Sequence, residues 1–179
     1  MNYKTIIETI LLTADKPMRE IDIINILDKK IDKNDIQIII ESLNQEYKKF
    51  DKGIYIDYIS SGYQIRTKKK FNQYIQKANS QINKYSLSKA SYEVLSIVCF
   101  KQPVSKNSIE SIRGVDCSKI IKNLLKKKII KICGKDTNRG KSILYCTTKL
   151  FLEVFGLKSL TDLPKLKDIK EIVSTNEIK

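Results

Sequence analysis

With 179 residues, 41% of them hydrophobic and 30% charged, the chain can form one large domain or two small ones with modest cores. Its apolar stretches are interrupted by charge and none approaches the roughly 20 residues of a membrane span, which argues against a membrane protein. The N-terminus shows no export signal, so we expect a cytoplasmic location. The formal net charge of +14 favours a nucleic acid or an acidic partner.

The first half of the chain has the pattern of several helices followed by a hairpin. Apolar residues first recur with a 3.6-residue period, and Asp32 can cap the third of these helices. After Gly53 the period changes to two, and a Ser-Ser-Gly turn reverses the chain. The predicted elements are helices around residues 3–11, 23–27, 36–47 and 71–78, and strands around 54–59 and 63–67.

The second half repeats this plan. Ser88 can cap a helix, and a glycine-bounded loop separates two further β-like segments. The predicted elements are helices around 88–98, 109–112 and 116–125, and strands around 129–132 and 143–147, with a loop from 134 to 140. When the two halves are aligned on their prolines, an offset of 86 residues matches Pro17 with Pro103, Met18 with Val104, Ile23 with Ile109, and Ile26 with Ile112.

Three helices and a hairpin, present twice, predict an α+β, mostly helical chain made of two tandem winged-helix domains. We expect the first domain at 1–82 and the second at 86–160. A linker is expected at 80–86, and the charged segment 161–179 is expected to form a tail.

The basic residues concentrate in the second half. Segment 117–149 carries ten Lys or Arg and a single acid, Asp136. The candidate contacts for nucleic acid or an acidic partner are Lys119, Lys122 and Lys126, which recur at i, i+3 and i+7 on the third helix, and Lys135, Arg139 and Lys141 on the wing. A solvated lysine face, or the codon bias of an AT-rich genome, is the alternative explanation.

Several other functions are not favoured by the residues present. The segment 134–142 resembles a phosphate-binding loop but has five residues between its glycines and precedes a β-rich run, whereas the phosphate-binding motif requires a helix there. The chain has no histidine, which removes the commonest general base. We therefore predict no enzyme, no catalytic site and no cofactor.

The cysteines are also expected to be inert. Their separations are 18, 16 and 13 residues, without a CxxC pair, so no zinc site is predicted. We expect all of them to be reduced thiols in or near the core. They are Cys99, Cys117, Cys133 and Cys146.

An ordered set of short strings gives the chain a recognisable signature. It resembles segregation and condensation protein B, ScpB, the small "kite" subunit of bacterial SMC–kleisin complexes, over about residues 3 to 164. The strings are Gly62-Tyr63-Gln64-Ile65-Arg66-Thr67, Leu87-Ser88, Phe100-Lys101-Gln102-Pro103-Val104, Ile109-Glu110-Ser111-Ile112-Arg113-Gly114-Val115, Ile143-Leu144-Tyr145, Thr147-Thr148, Phe151-Leu152-Glu153-Val154-Phe155-Gly156-Leu157, Ser159-Leu160 and Asp162-Leu163-Pro164.

The resemblance implies a non-catalytic scaffold in chromosome condensation and segregation. It implies that the N-terminal domains form a homodimer and that the C-terminal domains bind the kleisin ScpA, which in turn binds the SMC ATPase. The motif residues themselves are expected to be core and turn positions rather than contacts. A net charge of +14 departs from the more acidic protein expected for this family. An unusually acidic ScpA segment, weak non-specific DNA contact or codon bias would each account for it. A tandem winged-helix transcriptional regulator is the alternative function.

Overall fold

The computed structural model describes residues 2–78, 87–136 and 141–163. In its first unit, three helices precede a two-stranded antiparallel sheet, and a 3-10 turn at Lys69–Phe71 leads into a last helix. The elements are α1 (Tyr3–Thr13), α2 (Glu20–Ile26), α3 (Lys33–Lys49), β1 (Ile54–Ile59), β2 (Gly62–Thr67) and α4 (Asn72–Ala78).

Helix α3 forms the central element of the first unit. Its N-terminus is closed by a capping box. The Asp32 carboxylate accepts from the Asp35 backbone N–H at 2.8 Å, and the Asp35 carboxylate accepts from the Asp32 backbone N–H at 3.0 Å. At the other end, the Tyr47 hydroxyl donates to Glu8 of α1 at 2.7 Å. Burial, together with this carboxylate, raises the pKa of Tyr47.

The Asn44 side chain fixes the hairpin to α3. Its amide donates to the Ile56 carbonyl at 2.9 Å, and its oxygen accepts from the Ile56 N–H at 2.8 Å. These bonds satisfy both backbone groups of one strand residue. The core beneath contains Ile7, Leu11, Ile23, Leu27, Ile31, Ile36, Ile40, Leu43, Tyr47, Ile56 and Tyr63.

The second unit has the same order of elements and a separate core. Its elements are α5 (Lys89–Lys101), β3 (Val104–Ser105), α6 (Lys106–Arg113), α7 (Ser118–Lys126), β4 (Ile130–Lys135), β5 (Ile143–Thr147) and α8 (Lys149–Phe155). The sheet has the order β3-β5-β4, with antiparallel neighbours. The core contains Val94, Leu95, Val98, Cys99, Val104, Ile109, Cys117, Ile121, Leu124, Ile129, Ile130, Tyr145 and Phe151.

The predicted α+β, winged-helix fold is confirmed, and so is the duplication. The residue after each matched proline reaches the return strand of its own hairpin. Met18 forms an isolated antiparallel bridge to Tyr63, and Val104 pairs with Tyr145. The second unit extends this contact into the short strand β3, which gives its sheet a third strand.

The matched helix positions also agree in burial. Ile23 and Ile109 are both fully buried, while Ile26 and Ile112 are 53% and 50% exposed. An offset read from sequence thus places equivalent side chains in equivalent environments, since both halves use the same helix face.

The prediction that all four cysteines are reduced is wrong, because Cys133 and Cys146 form a disulfide. Their Cα atoms lie 5.8 Å apart, within the range that a disulfide needs. The expected loop also begins too early, since β4 continues to Lys135 with an irregularity between Ile132 and Gly134. This β-bulge places Cys133 against Cys146 on the neighbouring strand, a proximity that a separation of 13 residues does not reveal.

The boundaries expected between domains fall largely on residues that are not described. The linker at 80–86 lies outside the described residues, as does the tail beyond residue 163. The first part of the expected tail is ordered: Leu160–Asp162 forms a 3-10 turn closed by a capping box from Ser159, and Leu163 packs against the second core.

Candidate functional site

Helix α7 is positioned by contacts at its N-terminus and by its apolar face. The Cys117 N–H donates to the Glu110 carboxylate of α6 at 2.8 Å, which satisfies a donor that the helix itself cannot. Ile121 and Leu124 are 3% and 0% exposed and anchor the helix in the core. The opposite face is therefore held toward solvent.

That solvent face carries the predicted lysines. Lys119, Lys122 and Lys126 are all exposed. At roughly 100° per residue they fall within an arc of about 60°, nearly opposite Ile121 and Leu124. The structure thus brings these three candidates together on one side of α7.

The three candidates expected on the wing do not all lie in a loop. Lys135 is the last residue of β4 and is exposed, and Lys141 is exposed just before β5. Arg139 lies outside the described residues. The wing therefore starts with a strand residue, Lys135, whose direction is set by the sheet.

The register decides which side of the hairpin Lys135 occupies. Lys131 pairs with Cys146, whereas Lys135 pairs with Ile143, three residues away on β5. Residues directly opposite each other share a face, so the bulge places the two lysines on opposite faces of the hairpin. Lys135 lies on the same face as Tyr145, the face that packs against the helices.

A second candidate surface is an apolar groove between α5 and α8, which the sequence did not indicate. Its volume is about 270 Å³. Tyr92 and Phe155 stand at this groove with 47% and 39% of their surface exposed, and their rings meet edge-on at 6.4 Å. The lining residues are Tyr92, Leu95, Ser96, Cys99, Phe100, Phe151, Phe155, Leu157 and Leu163.

Two residues show why the groove was missed. The motif residues are expected at core and turn positions, but of Phe151 and Phe155 only Phe151 is buried, at 3% exposure. Phe155 lies one helical turn further and contacts Phe151 at 4.8 Å between ring centroids while remaining open to solvent. At the groove floor, burial raises the pKa of the Cys99 thiol to about 11.

A contact between the two units uses three of the motif residues. The Arg66 guanidinium donates to the Glu153 carbonyl in the last turn of α8 at 3.1 Å. The Ser60 N–H donates to the Leu157 carbonyl at 3.1 Å, just beyond that helix. The helix ends at Gly156, whose φ of 67° suits a glycine. Arg66 and Leu157 therefore connect the units, a role that their position in short motifs did not suggest.

Within residues 2–78, 87–136 and 141–163, no three His, Cys, Asp or Glu side chains are grouped as metal ligands would be. In the same ranges no helix combines the length and apolar character needed to span a bilayer.

Comparison with known proteins finds similarity to a single family over nearly the whole chain. The family model for "Segregation and condensation complex subunit ScpB" matches residues 5–166. The segregation and condensation protein B of Clostridioides difficile (strain 630) is 36% identical over 176 residues, which cover 98% of each chain. That of Clostridium botulinum (strain Hall) is 38% identical over 175 residues, 98% of this chain and 90% of the relative. That of Alkaliphilus metalliredigens (strain QYMF) is 37% identical over 171 residues, 95% and 89% of the two chains.

Two crystal structures each align with 87% of the chain at 26% identity. One is a conserved hypothetical protein from Chlorobium tepidum, with 96% of its chain covered and a TM-score of 0.42. The other is ScpB from Mycobacterium tuberculosis, with 95% covered and a TM-score of 0.41. Because the family model spans most of the chain and relatives above 30% identity cover nearly all of it, this chain belongs to the family of segregation and condensation complex subunit ScpB.

Proposed function

We propose that this protein is a non-catalytic scaffold of the SMC–ScpA–ScpB complex, acting in chromosome condensation and segregation. Its N-terminal domain, 1–82, forms a homodimer, and its C-terminal domain, 86–160, binds the kleisin ScpA. SMC is reached only through ScpA, and ATP hydrolysis belongs to SMC. This role corresponds to a cytoplasmic, nucleoid-associated location and requires no cofactor.

The observation that carries the proposal is the family match over residues 5–166, which includes both winged-helix units. A transcriptional regulator is not favoured, because the full-length relatives are segregation and condensation proteins. The separate cores of the two units support a division of labour, since each unit can hold its own binding surface rigid.

Exposed apolar side chains support dimerisation through the first unit. Leu12 on α1 and Ile38 on α3 are 67% and 65% exposed. Large aliphatic side chains at such exposure favour burial against a second surface, at about 25 cal/mol per Å². Further exposed apolar residues of this unit are Ile21, Ile26, Phe50 and Tyr74.

The test of dimerisation is a mass measurement by light scattering after gel filtration. The protein should elute at twice the chain mass of 20.7 kDa. Ile38→Glu should shift it toward the monomer, whereas Ile132→Glu, a matched change at a 55% exposed position of the second unit, should not. A wild-type protein that is monomeric at every concentration would contradict the homodimer.

The apolar groove between α5 and α8 supports kleisin binding by the second unit. Aromatic side chains held on well-packed helices are typical anchors of protein interfaces, because they bury large areas at little entropic cost. Tyr92 and Phe155 have this character. A kleisin helix that presents apolar residues would complement the groove.

Blocking the groove gives the sharpest experiment. Ser96 is exposed and lines the groove, so Ser96→Arg obstructs it without removing core packing. Co-purification with the cognate ScpA should fall at least tenfold. Ser111→Arg, which adds the same side chain at an exposed position of α6, should leave co-purification unchanged. Full binding by Ser96→Arg would refute the groove assignment, and a wild-type chain that ignores ScpA would refute the proposed function.

A further inference from the structure

We propose that the second unit also binds the phosphate backbone of double-stranded DNA. The surface is the basic face, formed by Lys119, Lys122 and Lys126 of α7 and by Lys135 of β4. Contact through lysine alone positions a protein on the duplex without reading its sequence. The proposal goes beyond the scaffold role and does not depend on it, because it requires neither ScpA nor a dimer.

The first support is the geometry of α7. The three lysines lie on one side of the helix and extend over seven residues, a rise of about 10 Å. The buried Ile121 and Leu124 fix the rotation of the helix, so the lysine side cannot turn inward. An α-helix also fits the major groove, which is about 12 Å wide.

The second support comes from the hairpin. The bulge between Ile132 and Gly134 directs Lys135 to the helix-facing side, away from the side occupied by Lys131. The Cys133–Cys146 disulfide joins the two strands at this bulge. Lys135 therefore has a fixed direction on β4, a second element that contacts α7. Two elements carrying charge can contact backbone on both sides of a groove.

The third support is the distribution of acidic side chains. Among the described residues, the ion pairs of the second unit involve Lys106 and Arg113 and none of the lysines of the basic face. The neighbouring helix α6 is neutralised: Lys106 lies 3.4 Å from Glu110 and 3.5 Å from Asp116, and Arg113 lies 2.7 Å from Glu93. Glu93, Glu110 and Asp116 therefore compensate α6, while segment 117–149 has the single acid Asp136 against ten basic residues and keeps a positive potential.

A duplex matches this charge pattern better than an acidic polypeptide does. DNA presents one negative charge per about 1.7 Å of axis, as a stiff rod. An extended peptide advances about 3.3 Å per residue, so it presents fewer charges over the same length. Three lysines along about 10 Å of α7, with Lys135 on the hairpin, therefore fit the charge density of a duplex.

The test measures fluorescence anisotropy of two labelled 30-base-pair duplexes of unrelated sequence, with the purified full chain. Four phosphate contacts predict a slope of log K against log salt of about −3.6, which is a loss of about 150-fold between about 50 and 200 mM salt. Both duplexes should bind equally. Replacing Lys119, Lys122 and Lys126 with Ala should reduce the slope to about −0.9, and Lys135→Ala alone should reduce it to about −2.7.

A matched control separates this surface from general charge. Lys48, Lys89 and Lys158 are exposed elsewhere on the chain, and their triple replacement with Ala removes the same charge. This control should keep the slope near −3.6. Retention of wild-type affinity by the α7 triple variant would overturn the proposal, as would undetectable wild-type binding at about 50 mM salt.

Two further outcomes would also overturn it. Strong binding of polyglutamate with no binding of DNA would identify the surface as a site for an acidic polypeptide. Binding of one duplex far more tightly than the other would show base readout, which contradicts contact through the backbone alone.

Discussion

Gly62 provides a strict test of how the first hairpin packs. A Cβ atom at this position would lie 2.8 Å from the Met18 carbonyl carbon and 2.9 Å from both the Met18 oxygen and the Pro17 carbonyl carbon. These are backbone atoms, so no side-chain rotation can relieve the contact. Gly62→Ala must displace the Met18–Tyr63 bridge, whose two backbone bonds are 2.8 and 2.9 Å long. Overpacking of this kind costs about 1–3 kcal/mol.

The matched control is Gly134 in the second hairpin. A Cβ there meets no atom within 4 Å among the described residues, and its φ is not positive. Gly134→Ala should therefore stabilise the fold by about 0.4–1 kcal/mol, since it lowers the entropy of the unfolded chain. The two variants add the same methyl group to the same type of element, and we expect opposite changes in the free energy of unfolding.

Urea unfolding followed by far-UV circular dichroism measures both variants. In thermal unfolding, a loss of about 2 kcal/mol would lower the Tm of a unit of this size by about 8–16 °C. Hydrogen exchange should place the Gly62→Ala effect in residues 2–78. Equal stability of Gly62→Ala and the wild type would refute the close approach of β2 to the segment after Pro17, and with it the equivalence of the two hairpins.

Three further changes have definite expected outcomes. Gln102→Ala leaves the buried Thr147 N–H, now bonded at 2.7 Å, without its acceptor, and unfolding in urea should show a loss of about 1–3 kcal/mol. Arg66→Ala removes the 3.1 Å bond to α8, and small-angle scattering should show a larger radius of gyration as the units separate. Removal of the Cys133–Cys146 disulfide by replacing both residues with Ser should lower stability by about 3 kcal/mol, because the unfolded chain regains a loop of about 15 residues.

Each of these changes has its own control. Gln102→Glu keeps the acceptor oxygen but loses the amide that donates to the Cys99 carbonyl at 3.2 Å, so it should recover only part of the loss. Equal stability of Gln102→Ala and the wild type would contradict the assigned bond. Arg19→Ala removes an arginine paired within the first unit, 2.8 Å from Asp22, and should leave the radius unchanged. An Arg66→Ala radius equal to that of the wild type would show that the Arg66 bond is not needed to hold the units together, and that the Ser60–Leu157 bond suffices.

The disulfide is checked by thiol labelling in denaturant. Two cysteines should react before reduction and four afterwards, since two are free in the structure. Four reactive thiols in the unreduced protein would contradict the disulfide. In the folded protein the two free thiols should react slowly, because both are buried.

Much of the fold was predictable because it depends on local patterns. The Asp32 cap, the apolar stripe of α3 and the change of period at the first hairpin follow from residues close together in the chain. The 86-residue offset then transferred the same plan to the second half. The lysine side of α7 was predictable for the same reason, since helical spacing alone places Lys119, Lys122 and Lys126 together.

The remaining features depend on distant pairs of residues. In the sequence, Gln102 lies before Pro103 at the end of a helix. In the structure, its side-chain oxygen accepts hydrogen bonds from the Thr147 N–H and hydroxyl, on a strand 45 residues away. Phe155 follows the apolar pattern of α8 but keeps 39% of its surface exposed, with only an edge-on contact from Tyr92 of α5 at 6.4 Å across the groove. Neither partner can be identified from spacing, since each contact joins elements whose relative position the core decides.

The sequence alone determined the two-unit winged-helix plan, the basic third helix and the family signature, because each depends on local periodicity or on short ordered strings. Only the tertiary structure decided the Cys133–Cys146 disulfide, the direction of Lys135, the groove beside Phe155 and the link from Arg66 to α8. Those features arise where a bulge shifts the strand register or where two helices leave a gap. Side-chain packing sets both, and no single segment encodes them.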